Sequence, residues 1–125
     1  RDAQESRGLG DVYKRQVLNV MNNACYAVWK KWQNAPEGYS PEIMVTLEKL
    51  DKRIVLSIRD NGEGMSPEVK RKLFDSFFTT KPVGQGTGLG MAIVRDIIEN
   101  KHHGKVLFDS VLHEYTCFRF IIPIA

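Results

Sequence analysis

Asparagines recur on one side of a predicted helix near the start of the chain. Asn19, Asn23, Tyr26 and Lys30 follow one another at helical spacing. Asn forms helices poorly and exposed helical faces carry mainly Glu, Lys, Arg or Gln, so a solvated face accounts for Lys30 better than for the asparagines. An Asn side chain offers a carbonyl oxygen to a metal and an amide to a phosphate. The stripe therefore favours a functional site.

A carboxylate is predicted at the core-facing end of a β-hairpin. Apolar residues alternate over residues 43–47 and 54–58, which predicts two strands. The same alternation places Asp60 on the core face, where a carboxylate needs hydrogen bonds, and Gly62 and Gly64 permit a tight turn beside it. Such an acceptor suits an exocyclic amine like that of adenine. A turn aspartate that merely ends the hairpin is the alternative that this stretch leaves open.

Glycines then crowd into the segment TTKPVGQGTGLG, residues 79–90, directly ahead of the apolar run MAIVRDII. Gly is the residue with the highest entropic cost of ordering, so this density indicates close backbone approach or movement. Backbone N–H groups at the N-terminus of the following helix would form an anion site suited to phosphate, and the earlier glycines would give hinge freedom to a lid. The chain has neither a P-loop nor a dinucleotide-binding glycine motif after a strand.

The remaining elements predict one α/β domain. Apolar residues of the first helix follow a separate stripe made of Val17, Leu18, Met21, Ala24, Cys25, Val28, Trp29 and Trp32. A short helix capped by Ser66, a helix after the glycines and two final strands complete the order helix, hairpin, helix, lid, helix, hairpin. This order predicts a two-layer α/β sandwich: a mixed, mostly antiparallel sheet with about three helices on one face.

Composition excludes several classes of protein. The 125 residues, 42% hydrophobic and 26% charged with a net charge of +3, describe a single globular domain without a nucleic-acid-binding charge density. Cys25 and Cys117 have no metal or redox spacing, and no membrane span or signal peptide is visible, so a cytoplasmic setting is expected. GLGDVYKRQ resembles translated adapter sequence. Residues 1–10 are accordingly expected to be a non-native or disordered leader and residues 11–125 the domain.

Four ordered motifs together resemble the catalytic, ATP-binding domain of bacterial two-component sensor histidine kinases, in the GHKL superfamily. VLNVMNNACYAV resembles the asparagine box, DNGEGM the first glycine box, LFDSFFTTKP the phenylalanine box and GQGTGLGMAIV the second glycine box. The resemblance implies the GHKL fold, here truncated at its N-terminus, and Mg²⁺-dependent ATP binding. It also implies transfer of the terminal phosphate to a histidine on a separate helical dimerisation domain of the parent protein. A response regulator would be an indirect partner.

The resemblance also implies roles for individual residues. Asn23 would coordinate Mg²⁺, Asn19 would support phosphate or metal, and Asp60 would accept the adenine amine. Lys81 could reach the terminal phosphate, and Thr116 falls near adenine. The implied nucleotide-binding residues are Asn19, Asn23, Asp60, Gly62, Gly64, Lys81, Gly86, Thr87, Gly88, Leu89, Gly90 and Thr116. The phenylalanines Phe74, Phe77 and Phe78 would anchor the lid or simply fill the core.

No catalytic residue is expected in this chain, because none of its histidines lies on an amphipathic helix beside an acid. One alternative is an ATPase of the mismatch-repair, gyrase or chaperone kind. It is disfavoured because such relatives carry a glutamate base at the position of Asn19. Another is a degenerate module that binds nucleotide or a partner without phosphotransfer. It stays open because the turn around His113 and Glu114 is altered and has no glycine. The chain also departs from the family pattern in having His102-His103-Gly104 for the usual HGG. No nucleic-acid or membrane contact is expected, although the parent protein could be membrane-anchored.

Overall fold

An antiparallel sheet of four strands forms one layer of the molecule, and helices lie against one of its faces. The computed structural model describes the backbone of residues 3–34, 37–75 and 90–123, with side chains over 14–34, 37–75 and 91–123. In chain order the elements are α1 (Ala3–Asn34), β1 (Ile43–Leu50), β2 (Arg53–Asp60), α2 (Pro67–Lys72), α3 (Gly90–Arg95), a π-helical segment (Asp96–Lys101), β3 (Lys105–Val111) and β4 (Tyr115–Pro123).

The strand order is β1-β2-β4-β3, so the two hairpins meet at the centre of the sheet through β2 and β4. Every pair of neighbouring strands in this sheet is antiparallel. The two-layer α/β sandwich is therefore confirmed. The parallel component expected of a mixed sheet is not found among the described strands.

The core lies between the sheet and the helices α1 and α3. Alternation along β2 and β4 directs Ile58, Phe118 and Phe120 toward the helices, and each is at most 6% exposed. The helices and β3 contribute the other members of this cluster, which are Val20, Ala24, Met91, Val94, Ile98 and Val106. Burying a side chain of this size contributes about 1.5–3 kcal/mol, so the seam between helices and sheet is the main source of stability.

Helix α1 differs from the sequence prediction in its length. It begins at Ala3 rather than near residue 17, so its backbone includes most of the segment expected to be a disordered leader. Long helices need no apolar face of their own along every turn once a packed segment has nucleated them, because propagation adds one hydrogen bond per residue. The non-native origin of residues 1–10 stays a prediction.

The apolar stripe of α1 is wider than the face that α1 buries. Val20, Ala24 and Val28 are buried, whereas Leu18, Cys25, Trp29 and Trp32 are exposed. A similar difference is seen on β1, where Val45 and Leu47 point to the helix side of the sheet and remain 50% and 68% exposed. β1 is an edge strand, and the helices cover the sheet mainly over β2, β3 and β4.

The helix termini follow their sequence signals with one exception. Ser66 caps α2 as predicted, since its side chain accepts a hydrogen bond from the amide of Val69. After the π-helical segment the left-handed residue is His103, with φ 59°, rather than Gly104. Gly104 serves close packing instead, because a Cβ there would lie 2.5 Å from the carbonyl oxygen of Ile121. Within the described residues, no helix has both the length and the apolar character needed to cross a bilayer.

Candidate functional site

Asp60 lies at the end of β2 on the helix-facing side of the sheet, as the sequence predicted. It is 4% exposed and stands opposite Ile43 on β1 and Thr116 on β4. Its Oδ1 accepts a hydrogen bond of 2.9 Å from the amide of Gly62, which fixes the orientation of the carboxylate. Only one of its oxygens has a protein donor among the described hydrogen bonds. A carboxylate oxygen without a protein donor can accept a hydrogen bond from an incoming amine.

Burial raises the pKa of Asp60 from its ordinary value of 3.8 to about 6. Three influences oppose this rise: the hydrogen bond from Gly62, the positive charge of Arg59 and the positive charge of Lys31. The carboxyl group is therefore mainly ionised at pH 7 and becomes mainly neutral only below about pH 6. A group whose pKa is perturbed in this way, held at the end of a strand, is a candidate functional residue.

Thr116 lies beside Asp60, on the neighbouring strand β4. It is 6% exposed, and its hydroxyl lies 2.8 Å from the hydroxyl oxygen of Ser110 on β3. Ser110 donates to the carbonyl oxygen of Tyr115 and accepts from the amide of Met65. The buried Ser110 thus ties the loop after β2 to the strand that carries Thr116.

The glycines of the loop after β2 are required by close packing. A Cβ on Gly62 would lie 2.7 Å from backbone and side-chain carbon atoms of Ala27, so α1 rests directly on the loop. Gly64 has φ 67°, and a Cβ at this position would clash with the carbonyl oxygen of Val111. Both glycines therefore hold the wall beside Asp60 between α1 and the turn that joins β3 to β4.

The asparagines lie on α1 before its contact with this loop, toward the N-terminus of the helix. Asn19 and Asn23 are half-buried and Asn22 is exposed. Asn23 precedes the contact between Ala27 and Gly62 by one helical turn, and Asn19 lies about 12 Å from that contact along the helix axis. A cleft of about 440 Å³ opens beside Asn19, between α1 and the helix that starts at Gly90. Its lining residues are Arg15, Gln16, Leu18, Asn19, Asn22, Ile93 and Ile97.

This arrangement matches a known family. The sequence profile described as "Histidine kinase-, DNA gyrase B-, and HSP90-like ATPase" aligns with residues 10–125. The chain belongs to this family. Its relatives and structural neighbours identify it as the ATP-binding catalytic domain of a histidine kinase.

Several curated relatives match most of the kinase domain. The sensor histidine kinase ZraS of Klebsiella oxytoca is 32% identical over 91% of this chain, and the sensory histidine kinase/phosphatase NtrB of Rhizobium meliloti is 34% identical over 85%. The methanogenesis regulatory histidine kinase FilI of Methanothrix harundinacea is 40% identical over 66%. The chain spans only 22%, 28% and 9% of the lengths of these three proteins.

Solved structures give the same assignment. The catalytic domain of histidine kinase ThkA, in a nucleotide-free form, superposes with a TM-score of 0.70 at 34% identity, covering 90% of this chain and 66% of that one. The mycobacterial sensor histidine kinase MprB superposes with a TM-score of 0.66 at 31% identity, covering 87% and 68% of the two chains. Both comparisons confirm the GHKL-type fold predicted for the kinase domain.

Some of the predicted site lies outside the described residues. Lys81, Gly86, Thr87, Gly88 and Leu89 belong to this part, as do Phe77 and Phe78. Gly90 is the first residue of α3, so the helix does begin at the last glycine of the motif. Phe74 packs on Phe108 with ring centroids 5.7 Å apart, which places it at the rim of the core.

The donor set in the described part of the kinase domain fits a metal held mainly by its substrate. No group of three or more His, Cys, Asp or Glu side chains is placed there to enclose an ion. Mg²⁺ retains several waters and is usually bound through one or two protein ligands together with substrate phosphates. One neutral amide oxygen, that of Asn23, is compatible with this mode of binding.

Sequence reasoning missed four residues that shape the site: Lys31, Tyr39, Asn61 and Ser110. Lys31 could have been noticed because it follows Val20, Ala24 and Val28 on the buried face of α1, where a lysine is unusual. Ser110 gave no such signal, since a serine within an alternating strand is ordinary. Its importance comes from the pairing of β3 with β4, which places it opposite Thr116.

We expect Gly64→Ala to destabilise the kinase domain more than a matched change at Gly38. Both glycines have positive φ, so either substitution incurs backbone strain of about 1–3 kcal/mol. A Cβ at Gly38 meets nothing within 4 Å, whereas a Cβ at Gly64 meets a backbone oxygen that cannot rotate away. Chemical denaturation followed by circular dichroism should show an additional loss of more than about 1 kcal/mol for Gly64→Ala. Equal losses of stability would show that the backbone around Val111 moves to accommodate a Cβ at Gly64.

Proposed function

We propose that this kinase domain transfers the terminal phosphate of Mg-ATP to a histidine on a separate helical dimerisation domain of its parent protein. The carrying observation is the buried Asp60, oriented by Gly62 and joined through α1 to the half-buried asparagines. The catalytic-domain relatives supply the class of reaction. The phosphorylated histidine would in turn supply a response regulator.

Each residue has a defined task in this proposal. The free oxygen of Asp60 accepts the adenine amine, and the loop from Asn61 to Gly64 forms the adjoining wall with Thr116 behind it. Asn23 and Asn19 bind the metal and the phosphates farther along α1. Mg²⁺, when bound, supplies charge neutralisation at the phosphates. Phosphoryl transfer needs such positioning and charge stabilisation more than it needs covalent help from the protein.

The residue at position 19 favours transfer over hydrolysis. The resemblance to ATP-hydrolysing members of the superfamily implies a glutamate base at this position, and an asparagine side chain has no basic group with which to activate water. The alternative of a degenerate module without phosphotransfer rests on the turn around His113, which lacks the usual glycine. His113 nevertheless adopts a positive φ of 69°, a backbone conformation that favours glycine.

We expect the isolated chain to bind Mg-ATP without phosphorylating itself. His103 and His113 lie at turns with positive φ and His102 immediately follows the π-helical segment, so none is presented on a helix as an acceptor. Incubation with radiolabelled ATP should leave no acid-labile phosphate on this chain. Label should appear on a helical dimerisation domain from a sensor kinase supplied in trans.

Two measurements separate the alternatives. Rapid release of inorganic phosphate without an acceptor would favour the ATPase, and nucleotide binding with neither transfer nor turnover would favour the degenerate module. Acid-labile phosphate mapped to a histidine of this chain would contradict the proposal that the acceptor histidine lies on a separate domain. Omitting the acceptor domain serves as the control for the transfer reaction.

A further inference from the structure

Lys31 occupies an unusual place for a lysine. It is half-buried on the face of α1 that packs against the sheet, one turn after Ala27. Its ammonium group donates to the carbonyl oxygen of His113 at 2.8 Å and to that of Asn61 at 3.2 Å. The ammonium also lies 4.8 Å from the ring centroid of Tyr39. These contacts join α1 to two loops that are separate in sequence.

The first of these loops is held through Asn61, the residue between Asp60 and Gly62. The side-chain carbonyl of Asn61 accepts from the amide of Glu42 at 2.8 Å and from the hydroxyl of Tyr39 at 3.0 Å. Its side-chain amide donates to the carbonyl oxygen of Ser40 at 2.8 Å. Asn61 is thus fixed on one side by the segment before β1 and on the other by Lys31.

The second loop is the turn between β3 and β4. His113 has φ 69°, and its amide donates to the carbonyl oxygen of Glu63. Gly64 packs against Val111, the last residue of β3, which leads into this turn. The carbonyl of His113 is then bound by Lys31, so one ammonium group closes a ring of contacts around the loop that orients Asp60.

We propose that Lys31 is a positioning residue of the adenine site, holding the loop from Asn61 to Gly64 against α1 and the β3–β4 turn so that Asp60 meets the nucleotide in a fixed orientation. This inference rests on the proposed adenine-binding role of Asp60. Lys31 acts on the nucleotide through the loop and its charge rather than by contact. The β3–β4 turn lacks the glycine that is usual in the family, and the hydrogen bond from Lys31 to the carbonyl of His113 stabilises it.

The charge of Lys31 gives this role a measurable signature. The charged or titratable groups whose fields reach Asp60 are Arg59 on its own strand, Lys31 from α1 and Tyr39 from the segment before β1. Across the sheet Asp60 faces Ile43 and Thr116, which carry no charge. Lys31 and Arg59 favour the carboxylate, so loss of the Lys31 ammonium shifts its protonation to higher pH.

The test compares Lys31→Met, which keeps an unbranched apolar stem, with Lys31→Arg and Lys72→Met. Lys72→Met is the control, because the Lys72 ammonium pairs at 3.2 Å with Glu68 of the same exposed helix α2. Calorimetric titration with ATP from pH 5 to 8 should show that Lys31→Met weakens ATP binding roughly 2- to 10-fold at pH 7.5. The pH midpoint of ATP binding should move upward in this variant. Lys31→Arg should keep the affinity and the midpoint of the parent, and Lys72→Met should match the parent.

The outcomes distinguish this inference from the function on which it rests. If Asp60→Asn weakens ATP binding and Lys31→Met leaves both affinity and midpoint unchanged, the positioning role is wrong while the adenine site stands. If Asp60→Asn binds ATP like the parent, the adenine site itself is wrong. Should Lys31→Met fail to fold, Tyr39→Phe removes the hydroxyl whose single proton is shared between the backbone and side-chain oxygens of Asn61, and it keeps the charge of Lys31. It should weaken ATP binding at an unchanged midpoint, and parental affinity in this variant would overturn the inference.

Discussion

Replacement of Asp60 by Asn is expected to weaken ATP binding by about 1–3 kcal/mol, or roughly 5- to 150-fold. Asp60 already accepts from the amide of Gly62 through Oδ1. An asparagine would keep that bond with its carbonyl oxygen and therefore turn its NH₂ group toward the nucleotide. Two donors would then face each other in a buried corner. Calorimetry with ATP, and with GTP as the nucleotide lacking this amine, measures the effect.

Asp109→Asn provides the matched control for this change. Asp109 is exposed on the opposite face of the sheet, where it accepts a hydrogen bond from the hydroxyl of Tyr115. It should bind ATP like the parent protein. Equal affinity of Asp60→Asn and the parent would return Asp60 to the role of a turn residue that ends the β2 strand.

The raised pKa of Asp60 predicts opposite pH dependences for the stability of the ligand-free protein and for its affinity for ATP. Because the folded-state pKa of about 6 lies above the ordinary 3.8, the folded protein binds the proton more tightly than the unfolded chain between these values. Protonation therefore stabilises the ligand-free fold as the pH falls from about 6 toward 4, and that contribution is lost as the pH rises through 6. ATP affinity should instead decline as the pH falls through 6. Asp60→Asn should remove both dependences relative to the parent.

Asn23→Ala is expected to weaken binding of Mg-ATP at least about tenfold while leaving the fold intact. The substitution removes the amide oxygen proposed as a metal ligand and introduces the strongest helix former into α1. Titration should be done with Mg²⁺ and again with the metal chelated. The loss should be confined to the experiment with Mg²⁺, because only there does the ligand act.

Asn34→Ala is the control for this prediction. Asn34 is the exposed last residue of the same helix, and its amide caps the carbonyl of Lys30 at 3.4 Å. Its replacement should leave nucleotide affinity unchanged. A loss for Asn23→Ala of the same size with and without Mg²⁺ would show that Asn23 binds the nucleotide or supports the helix instead of the metal.

Local patterns predicted those parts of the molecule that local physics decides. The parity of β2 fixed the side on which Asp60 lies, and the sequence Ser66-Pro67 announced the start of α2. The breadth of the buried face of α1 was not predictable in this way. Periodicity reports which residues are apolar, while burial of Trp29 or Leu47 depends on whether another element covers them, a property of tertiary packing.

The part of the site that sequence reasoning missed consists of backbone partners. Lys31 binds two carbonyl oxygens, at Asn61 and His113, that belong to segments 30 and 82 residues away. A carbonyl group is present at every position, so no residue type marks these partners. Only the pairing of β2 with β4, and of β4 with β3, brings them within reach of one ammonium group.

Both tryptophans of the protein, Trp29 and Trp32, lie on the exposed side of α1, and their exposed fractions are 50% and 60%. Indole rings that are already half in water change their surroundings little when the chain unfolds. Tryptophan fluorescence of this domain therefore reports the solvent beside one helix rather than the integrity of the core.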